Sequence, residues 1–411
     1  MGTRAVASVS SRVVVTGLGT VNPLGHSTPE FAAALRAGVG AIAPLTLFDP
    51  SGYRSQIAAE VRDVSPPAWL PSPLRRRLSR SDVFAVHAAR EALVDAGLEP
   101  DAAPRRFGIV LGGTTGGMLA AEECLHARID GRITRYRAGA LVGSPISASA
   151  DVLAAAFGLD GPRLTLSTAC SSSATALGVA ADWIRLGRAD VVIAGGTESL
   201  CRMIFAGFNA LRALSSEPCR PFDRRRNGLS LGEGAALVVL ESDERAARRG
   251  ARVQAELRSY GNSADAHHLT APHPEGTGAI LAMRRALAHG GVAAEDIDYI
   301  NAHGTGTPLN DAIETAAIKT VFGPAARRLA VSSTKAAVGH MLGAAGAIEA
   351  LATIIALRDG FVPPTVNLDE PDPACDLDYV PRSSRPAALR WALSNSYGFG
   401  GNNTSLVIGH A

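Results

Sequence analysis

The sequence predicts an α/β fold built from two similar halves, with largely buried sheets between helical layers. Three observations carry this. Apolar strand-like runs alternate with helical stretches along the whole chain. The order of elements in the first part recurs in the second, although no sequence repeat of fixed period accompanies it. The strand runs are mostly apolar, as in sheets covered on both faces.

Taken in order, Arg12 to Gly17 reads as a strand, Thr28 to Ala37 as a helix capped by Thr28, and Ser79 to Ala96 as a long amphipathic helix. A strand at Arg106 to Leu111 precedes helices at Gly117 to Arg128 and near Ser147 to Phe157. A short strand then leads to Cys170, followed by the helix Ser171 to Leu186 and the strand Asp190 to Ala194. After a loop from Pro218 to Gly234 come strands at Ala235 to Glu241 and Val253 to Tyr260. The second alternation has helices near Gly278 to His289, at Asp311 to Phe322 and at Gly346 to Arg358. Its strands are Asp298 to Ala302, Leu329 to Ser332, Arg390 to Asn395 and Thr404 to Ile408. The expected halves are residues 1–250 and 251–411. No low-complexity linker separates them, so they are expected to share one rigid interface.

At 411 residues, with 46% apolar and 19% charged residues, the chain has ample interior for a core. No apolar run reaches membrane-span length, and Met1 to Arg12 holds no hydrophobic stretch of signal-peptide length. A cytoplasmic location is therefore expected. The five cysteines form no CxxC pair and no Cys/His cluster of zinc spacing, which argues against a disulfide framework or a structural metal. A net charge of +2 argues against general nucleic-acid binding.

Cys170 is the most informative residue. It ends the strand-like run Leu164-Thr165-Leu166 and opens a helix of small residues, where the positive end of the helix dipole lowers a thiol pKa. On its own the segment also reads as core filling, since free cysteine is among the most buried residue types. Two further strands run into turns bearing histidine, at Tyr299 to Pro308 around His303 and at Val331 to His340. Ligand sites of open α/β sheets form at such carboxyl ends. Each histidine alone also fits a structural role. With Cys170 in the same topological position, the joint reading is an active site.

Of the 40 basic residues only Lys319 and Lys335 are lysines. Lys319 reads as a solvated charge on a helix, whereas Lys335 lies in a small-residue turn beside His340. The glycine-dense stretch Ser394 to Asn403 reads either as a tight turn needing positive φ or as a backbone N–H offered to an oxyanion, with Phe399 screening the site. One cysteine and two histidines suit acyl transfer with a carbanion step. A thiolate takes an acyl group from a thioester, and two neutral imidazoles donate to a thioester carbonyl as it becomes an enolate.

Together these residues resemble the β-ketoacyl-acyl carrier protein synthases, the condensing enzymes of the thiolase superfamily. The motifs are TACSSS at Thr168 to Ser173, GGTES at Gly195 to Ser199, RPFD at Arg220 with GEGA ending at Ala235, NAHGTGTPLND at Asn301 to Asp311, KAAVGHMLGAAGAIE at Lys335 to Glu349, and GFGG at Gly398 to Gly401. The resemblance runs over essentially the whole chain. It implies a five-layer αβαβα sandwich with mixed sheets, and a decarboxylative Claisen condensation of an acyl group on Cys170 with a malonyl extender. His303 and His340 would stabilise the enolate, with Lys335 orienting His340. The N–H groups of Cys170 and Phe399 would form the oxyanion hole, and Phe399 would gate the pocket. Thr305, Thr307 and, less directly, Thr270 would hold a phosphopantetheine arm. Glu349 matches a buried acid that in some relatives helps hold a structural monovalent cation. No covalently bound cofactor is implied, since the substrates ride on the phosphopantetheine of an acyl carrier protein.

Two departures stand out. Asn402 replaces the usual threonine before Asn403, and Thr115 replaces a larger aliphatic residue at the acyl pocket. The segment Leu47 to Glu60 resembles the ketosynthase subunit of type II polyketide systems. That makes polyketide or polyene biosynthesis the favoured expectation and housekeeping fatty-acid elongation the alternative. A thiolase would bring a second cysteine near the C-terminus, and a non-catalytic chain-length subunit would lack the nucleophile; neither fits. The family is dimeric, so a second copy or a homologous subunit is expected as partner. An acidic carrier protein calls for a basic face, with Arg75 to Arg77 and Arg80, Arg132, Arg135, Arg137, Arg212 and Arg224 to Arg226 as candidates.

Overall fold

The computed structural model describes residues 12–98, 106–135 and 141–411. The N-terminal half contributes β1 (Val13–Val21), β2 (Phe107–Gly112), β3 (Arg163–Leu166), β4 (Val191–Glu198) and β5 (Gly234–Ser242). The C-terminal half contributes β6 (Ala255–Ala264), β7 (Tyr299–Asn301), β8 (Ala330–Ser332), β9 (Trp391–Gly398) and β10 (Asn402–Gly409). The first set lies in the order β3-β2-β4-β5-β1 and the second in the order β8-β7-β9-β10-β6. Strand for strand these are the same arrangement. In each, the second strand runs parallel to both neighbours, and the remaining pairs are antiparallel. The duplicated layout expected from element order is therefore real. The two sheets are also joined edge to edge, because β1 pairs β6 at Val14↔Glu256 and Val15↔Ala255, giving ten hydrogen-bonded strands in all.

The principal helices are α1 (Thr28–Ala37), α2 (Arg80–Asp95), α3 (Met118–Ile129), α4 (Ala148–Phe157), α5 (Ser172–Arg185), α6 (Arg202–Ala210), α7 (Thr277–Gly290), α8 (Asn310–Phe322) and α9 (Ala345–Asp359). Helices α5 and α9 pack together as the central layer between the two sheets. Helices α2 and α4 cover the outer face of the N-terminal sheet, and α7 with α8 covers that of the C-terminal sheet. The result is the five-layer αβαβα sandwich of the thiolase fold. Its largest apolar cluster surrounds the central helices, and separate clusters lie under each outer layer.

Local sequence explains the details. Strand β1 is buried at every position, as its continuous apolar run demands. Its Gly17 and Gly19 let α2 sit directly on the strand, since a Cβ at either would come within 2.0 Å of a backbone oxygen of Ala92 or Ala88. Ser79 and Asp82 close a capping box at the start of α2. Helix α1 is capped by Ser27 rather than Thr28: the Ser27 hydroxyl accepts the Glu30 N–H, while Thr28 is already in the first turn. Helix α6, between the GGTES motif and the arginine-rich loop, was not anticipated. Its phenylalanines Phe205 and Phe208 belong to the apolar cluster beside the site.

Candidate active site

The TACSSS segment makes a strained elbow after β3. Ala169 has φ 52°, a left-handed conformation that a non-glycine residue holds only where neighbours fix it. The serines do the fixing. The Ser171 hydroxyl donates to the Thr168 carbonyl at 2.8 Å, and the Ser172 hydroxyl donates to the Ala169 carbonyl at 2.5 Å while accepting the Thr168 N–H. Ser173 accepts the Ala347 N–H at 2.9 Å, tying the start of α9 to α5. Cys170 is thereby set at the wall of a cavity of about 380 Å³.

That cavity gathers residues from four strand ends of the two halves. His303 follows β7, His340 lies beyond β8, and Phe399 follows β9, all lining the same space as Cys170. Thr305, Thr307 and Thr270 line its outer part, with the Thr305 and Thr307 hydroxyls 2.9 Å apart. The Phe399 ring stacks on Phe208 of α6, centroids 5.5 Å apart. The backbone N–H groups of Phe399 and Cys170 each pull the Cys170 pKa down.

The two imidazoles meet edge to face with centroids 5.6 Å apart. Their proton positions follow from their partners. Lys335 Nζ lies 3.2 Å from His303 Nδ1, and an ammonium only donates, so Nδ1 accepts and the ring proton sits on Nε2. His340 Nδ1 accepts the Leu342 backbone N–H at 3.2 Å, which places its proton on Nε2 as well. Both rings are held well below the ordinary histidine pKa of 6.5, by burial first and then by the charge of Lys335. The cavity therefore holds two neutral N–H donors. This corrects one expectation: Lys335 orients His303, and it is Leu342 that orients His340.

Lys335 is itself fully buried and ion-paired with Glu349, whose carboxyl is pushed up to about 7 by burial. Glu314 accepts the His303 and Gly304 N–H groups at 2.8 and 2.9 Å, and Asp311 accepts those of Phe222 and Gly306. These two acids hold the histidine turn. They lie three residues apart on one face of α8, a spacing the sequence displays, although nothing in it says that they face inward.

The thiol itself departs from expectation. Burial pushes Cys170 up to about 11, against the lowering pull of the Phe399 N–H and of Lys335. A helix dipole typically contributes ~0.3–1 kcal/mol, less than one pKa unit, and cannot offset such desolvation. At that value the resting Cys170 side chain is a protonated thiol.

Other expected residues land elsewhere. Thr115 does not line the cavity; its N–H and hydroxyl go to the buried carboxylate of Glu198. Asn402 closes its loop by donating from Nδ2 to the Phe399 carbonyl at 3.2 Å. Arg80 is committed to the buried Glu233, and Arg226 to Asp372, so neither is free for docking. Arg224 and Arg225 pair with Glu370 and Asp369, and Arg132 pairs with Asp130. Arg212 is exposed at the cavity mouth, Arg75 to Arg77 lie at the surface, and Arg137 falls outside the described residues. Buried oxygens without a partner include Glu349 Oε2, Asn301 Oδ1, Ser394 Oγ and Ser396 Oγ. Ser394 pairs with Asn301 across β9 and β7.

Gly398 packs against the elbow: a Cβ there would lie 2.8 Å from the Thr168 carbonyl and 3.1 Å from the Cys170 nitrogen. Gly398→Ala is expected to displace the Phe399 N–H and lower kcat about 100-fold, the cost of losing one oxyanion donor, with the fold retained by circular dichroism. Wild-type kcat in that variant would contradict the packing argument.

Comparison with known proteins agrees with this geometry. Residues 10–246 match the family Beta-ketoacyl synthase, N-terminal domain, and residues 254–369 match Beta-ketoacyl synthase, C-terminal domain. The chain belongs to the β-ketoacyl synthase family. It is 43% identical over 406 residues to 3-oxoacyl-[acyl-carrier-protein] synthase 2 of Coxiella burnetii, covering 97% of this chain and 98% of that one. The synthase of the same name from Rhizobium meliloti is 41% identical, again covering 97% and 98%. Among solved structures, a beta-ketoacyl synthase from Burkholderia phymatum is 35% identical with a TM-score of 0.91, covering 98% of this chain and all of its own. The ishigamide ketosynthase/chain length factor is 38% identical with a TM-score of 0.92, covering 98% and 99%. The β-ketoacyl synthase described here is thus an acyltransferase of the condensing type. Among its described residues no helix is long and apolar enough to cross a membrane.

Proposed function

We propose that this chain is an elongating 3-oxoacyl-acyl carrier protein synthase working in fatty-acid synthesis. The observation that carries the condensing mechanism is the pair of neutral imidazoles, each with Nδ1 occupied, facing one cavity with Cys170. In the first half-reaction the Cys170 sulfur attacks the acyl thioester, the carrier thiol leaves with the thiol proton, and the acyl group stays on Cys170. In the second, a malonyl thioester loses CO₂. The electron pair released forms an enolate whose oxygen takes hydrogen bonds from His303 and His340 Nε2–H. The enolate carbon attacks the acyl carbonyl, whose oxyanion is held by the Cys170 and Phe399 N–H groups. Collapse breaks the C–S bond and expels the Cys170 thiolate, which takes up a proton from solvent to return to the resting thiol, leaving the 3-oxoacyl carrier as product.

The pathway assignment rests on the synthase 2 relatives, 39–43% identical over nearly their whole length. It replaces the polyketide expectation, which rested on the short segment Leu47 to Glu60. Discrete polyketide synthesis is the second reading, favoured by the ketosynthase/chain length factor likeness. The partners follow: an acyl carrier protein whose arm passes Thr270, Thr305 and Thr307, and a second subunit, either an identical copy or a homologue. The halves of the chain are taken to be residues 1–250, carrying the nucleophile, and 251–411, carrying the histidines. A panel of saturated acyl carriers of graded length, each incubated with malonyl carrier protein, tests the pathway. Release of a singly extended 3-oxoacyl carrier at each length supports fatty-acid elongation. Unreduced chains extended several times in succession on one primer would overturn it.

The pH dependence follows from the histidines. Enolate stabilisation needs both rings neutral, and their lowered pKa values keep them so below 6.5. Condensation by preloaded enzyme should therefore stay flat as pH falls through 6.5, with its acid limb below that point. A limb centred at or above 6.5 would show that the rings are not held as described.

A further inference from the structure

Glu198 is a fully buried acid that the mechanism does not use. Glu198 ends β4, the strand that corresponds in the N-terminal half to β9, which leads to Phe399. Its Oε1 accepts the Thr115 N–H at 2.8 Å and the Thr115 hydroxyl. Its Oε2 accepts the Thr114 N–H at 2.8 Å, the Thr114 hydroxyl at 2.5 Å and the Gly343 N–H at 3.0 Å. No arginine or lysine is paired with it among the described residues, so burial pushes its carboxyl up and the Thr114 and Thr115 donors pull it back down. A buried carboxylate is strongly disfavoured unless its lone pairs are filled, and here five donors fill them. A carboxylate is acceptor-only; an amide in its place would turn an NH₂ toward other donors.

The donors come from both halves of the molecule. Thr114 and Thr115 follow β2, whereas Gly343 lies in the C-terminal half, one residue after the Leu342 whose N–H caps His340 Nδ1. The fit leaves no slack. A Cβ on Gly343 would lie 2.7 Å from Glu198 Oε2 and 2.6 Å from the Gly113 Cα. The turn after His340 is seated on the Gly113 to Thr115 loop, and the Glu198 carboxylate is the seat.

We propose that Glu198 is a positioning residue for His340: by holding the Gly343 N–H it fixes the turn that presents Leu342 N–H to Nδ1, and so keeps the His340 proton on Nε2. This rests on the role given to His340 above. Apart from Leu342, the groups acting on that ring are the His303 imidazole 5.6 Å away, the charge of Lys335 and the Cys170 thiol on the same cavity. None of them can take over at Nδ1 without moving. If the turn loosens, Nδ1 is free to bind a proton and His340 becomes a cation at higher pH.

The test is Glu198→Gln, read in the two half-reactions separately. Acyl loading of Cys170 and the KM for the acyl carrier should stay within about twofold of wild type, condensation kcat should fall about tenfold or more, and the acid limb of condensation should move up by about one pH unit. Loading and condensation falling together with an unmoved limb would mean a merely structural acid and would overturn the assignment. Should Glu198→Gln fail to fold, Thr114→Val removes one hydroxyl from the same oxygen that holds Gly343, and the same split is expected at about threefold. His340→Ala is measured alongside. If it condenses normally, the His340 role itself fails. If it does not condense while Glu198→Gln keeps the wild-type rate and limb, only the Glu198 assignment falls.

Discussion

Cys170→Ala is expected to abolish the acyl-enzyme. Intact-protein mass spectrometry after incubation with an acyl carrier thioester should show no acyl mass shift, and condensation should fall by at least about 1,000-fold, the loss usual when a covalent nucleophile is removed. The other four cysteines do not offer a substitute. All are buried, and among the described residues only Cys170 lines the cavity that holds the two histidines. Alanine also leaves the elbow intact, because the bonds that hold it come from Thr168, Ser171 and Ser172 and not from the sulfur. An undiminished mass shift would move the nucleophile elsewhere.

The second large effect belongs to the histidines. His303→Ala and His340→Ala should each load acyl groups at near wild-type extent and yet lose condensation by about 100–1,000-fold, since each removes one donor to a charge that develops only in the second half-reaction. Loading is expected to survive because, in the mechanism proposed above, the Cys170 and Phe399 N–H groups supply the oxyanion hole without either ring. The two variants should differ in one respect. His303→Ala also leaves the Lys335 ammonium without its ring partner inside a fully buried pair with Glu349, so it is expected to be the less stable of the two in thermal unfolding. Equal stability would show that the Lys335–Glu349 pair is satisfied on its own. Normal condensation by either variant would contradict the paired-donor geometry.

Much of this site was legible in the chain, for a physical reason. Cys170, His303, His340 and Phe399 each follow a strand into a turn of small residues, and the duplicated topology brings those strand ends to one cavity. What was not legible depends on distances across the fold. Lys335 sits beside His340 in sequence but reaches His303 in space, because its turn directs Nζ into the interior, where Glu349 waits. Thr115 sits where a pocket residue was expected and instead caps Glu198. The position of Cys170 at a helix start suggested an activated thiolate, but burial outweighs the dipole, a balance no local segment displays. Helix α6 was missed although its Phe208 stacks on Phe399. Four of the eleven arginines expected on a basic face are tied up in ion pairs with acids distant in sequence: Arg80 with Glu233, Arg224 with Glu370, Arg225 with Asp369 and Arg226 with Asp372.

The central claim is a division of labour: Cys170 carries the acyl group, and the two Nε2–H donors serve only the condensation. A load-and-chase experiment on His340→Ala, followed by intact-protein mass spectrometry, tests it most directly. The variant and wild type should both gain the acyl mass from the acyl carrier. On adding malonyl carrier protein, wild type should return to its unloaded mass as product leaves, while His340→Ala keeps its acyl group. A variant that clears its acyl mass into 3-oxoacyl product at the wild-type rate, or that never gains it, would contradict the account.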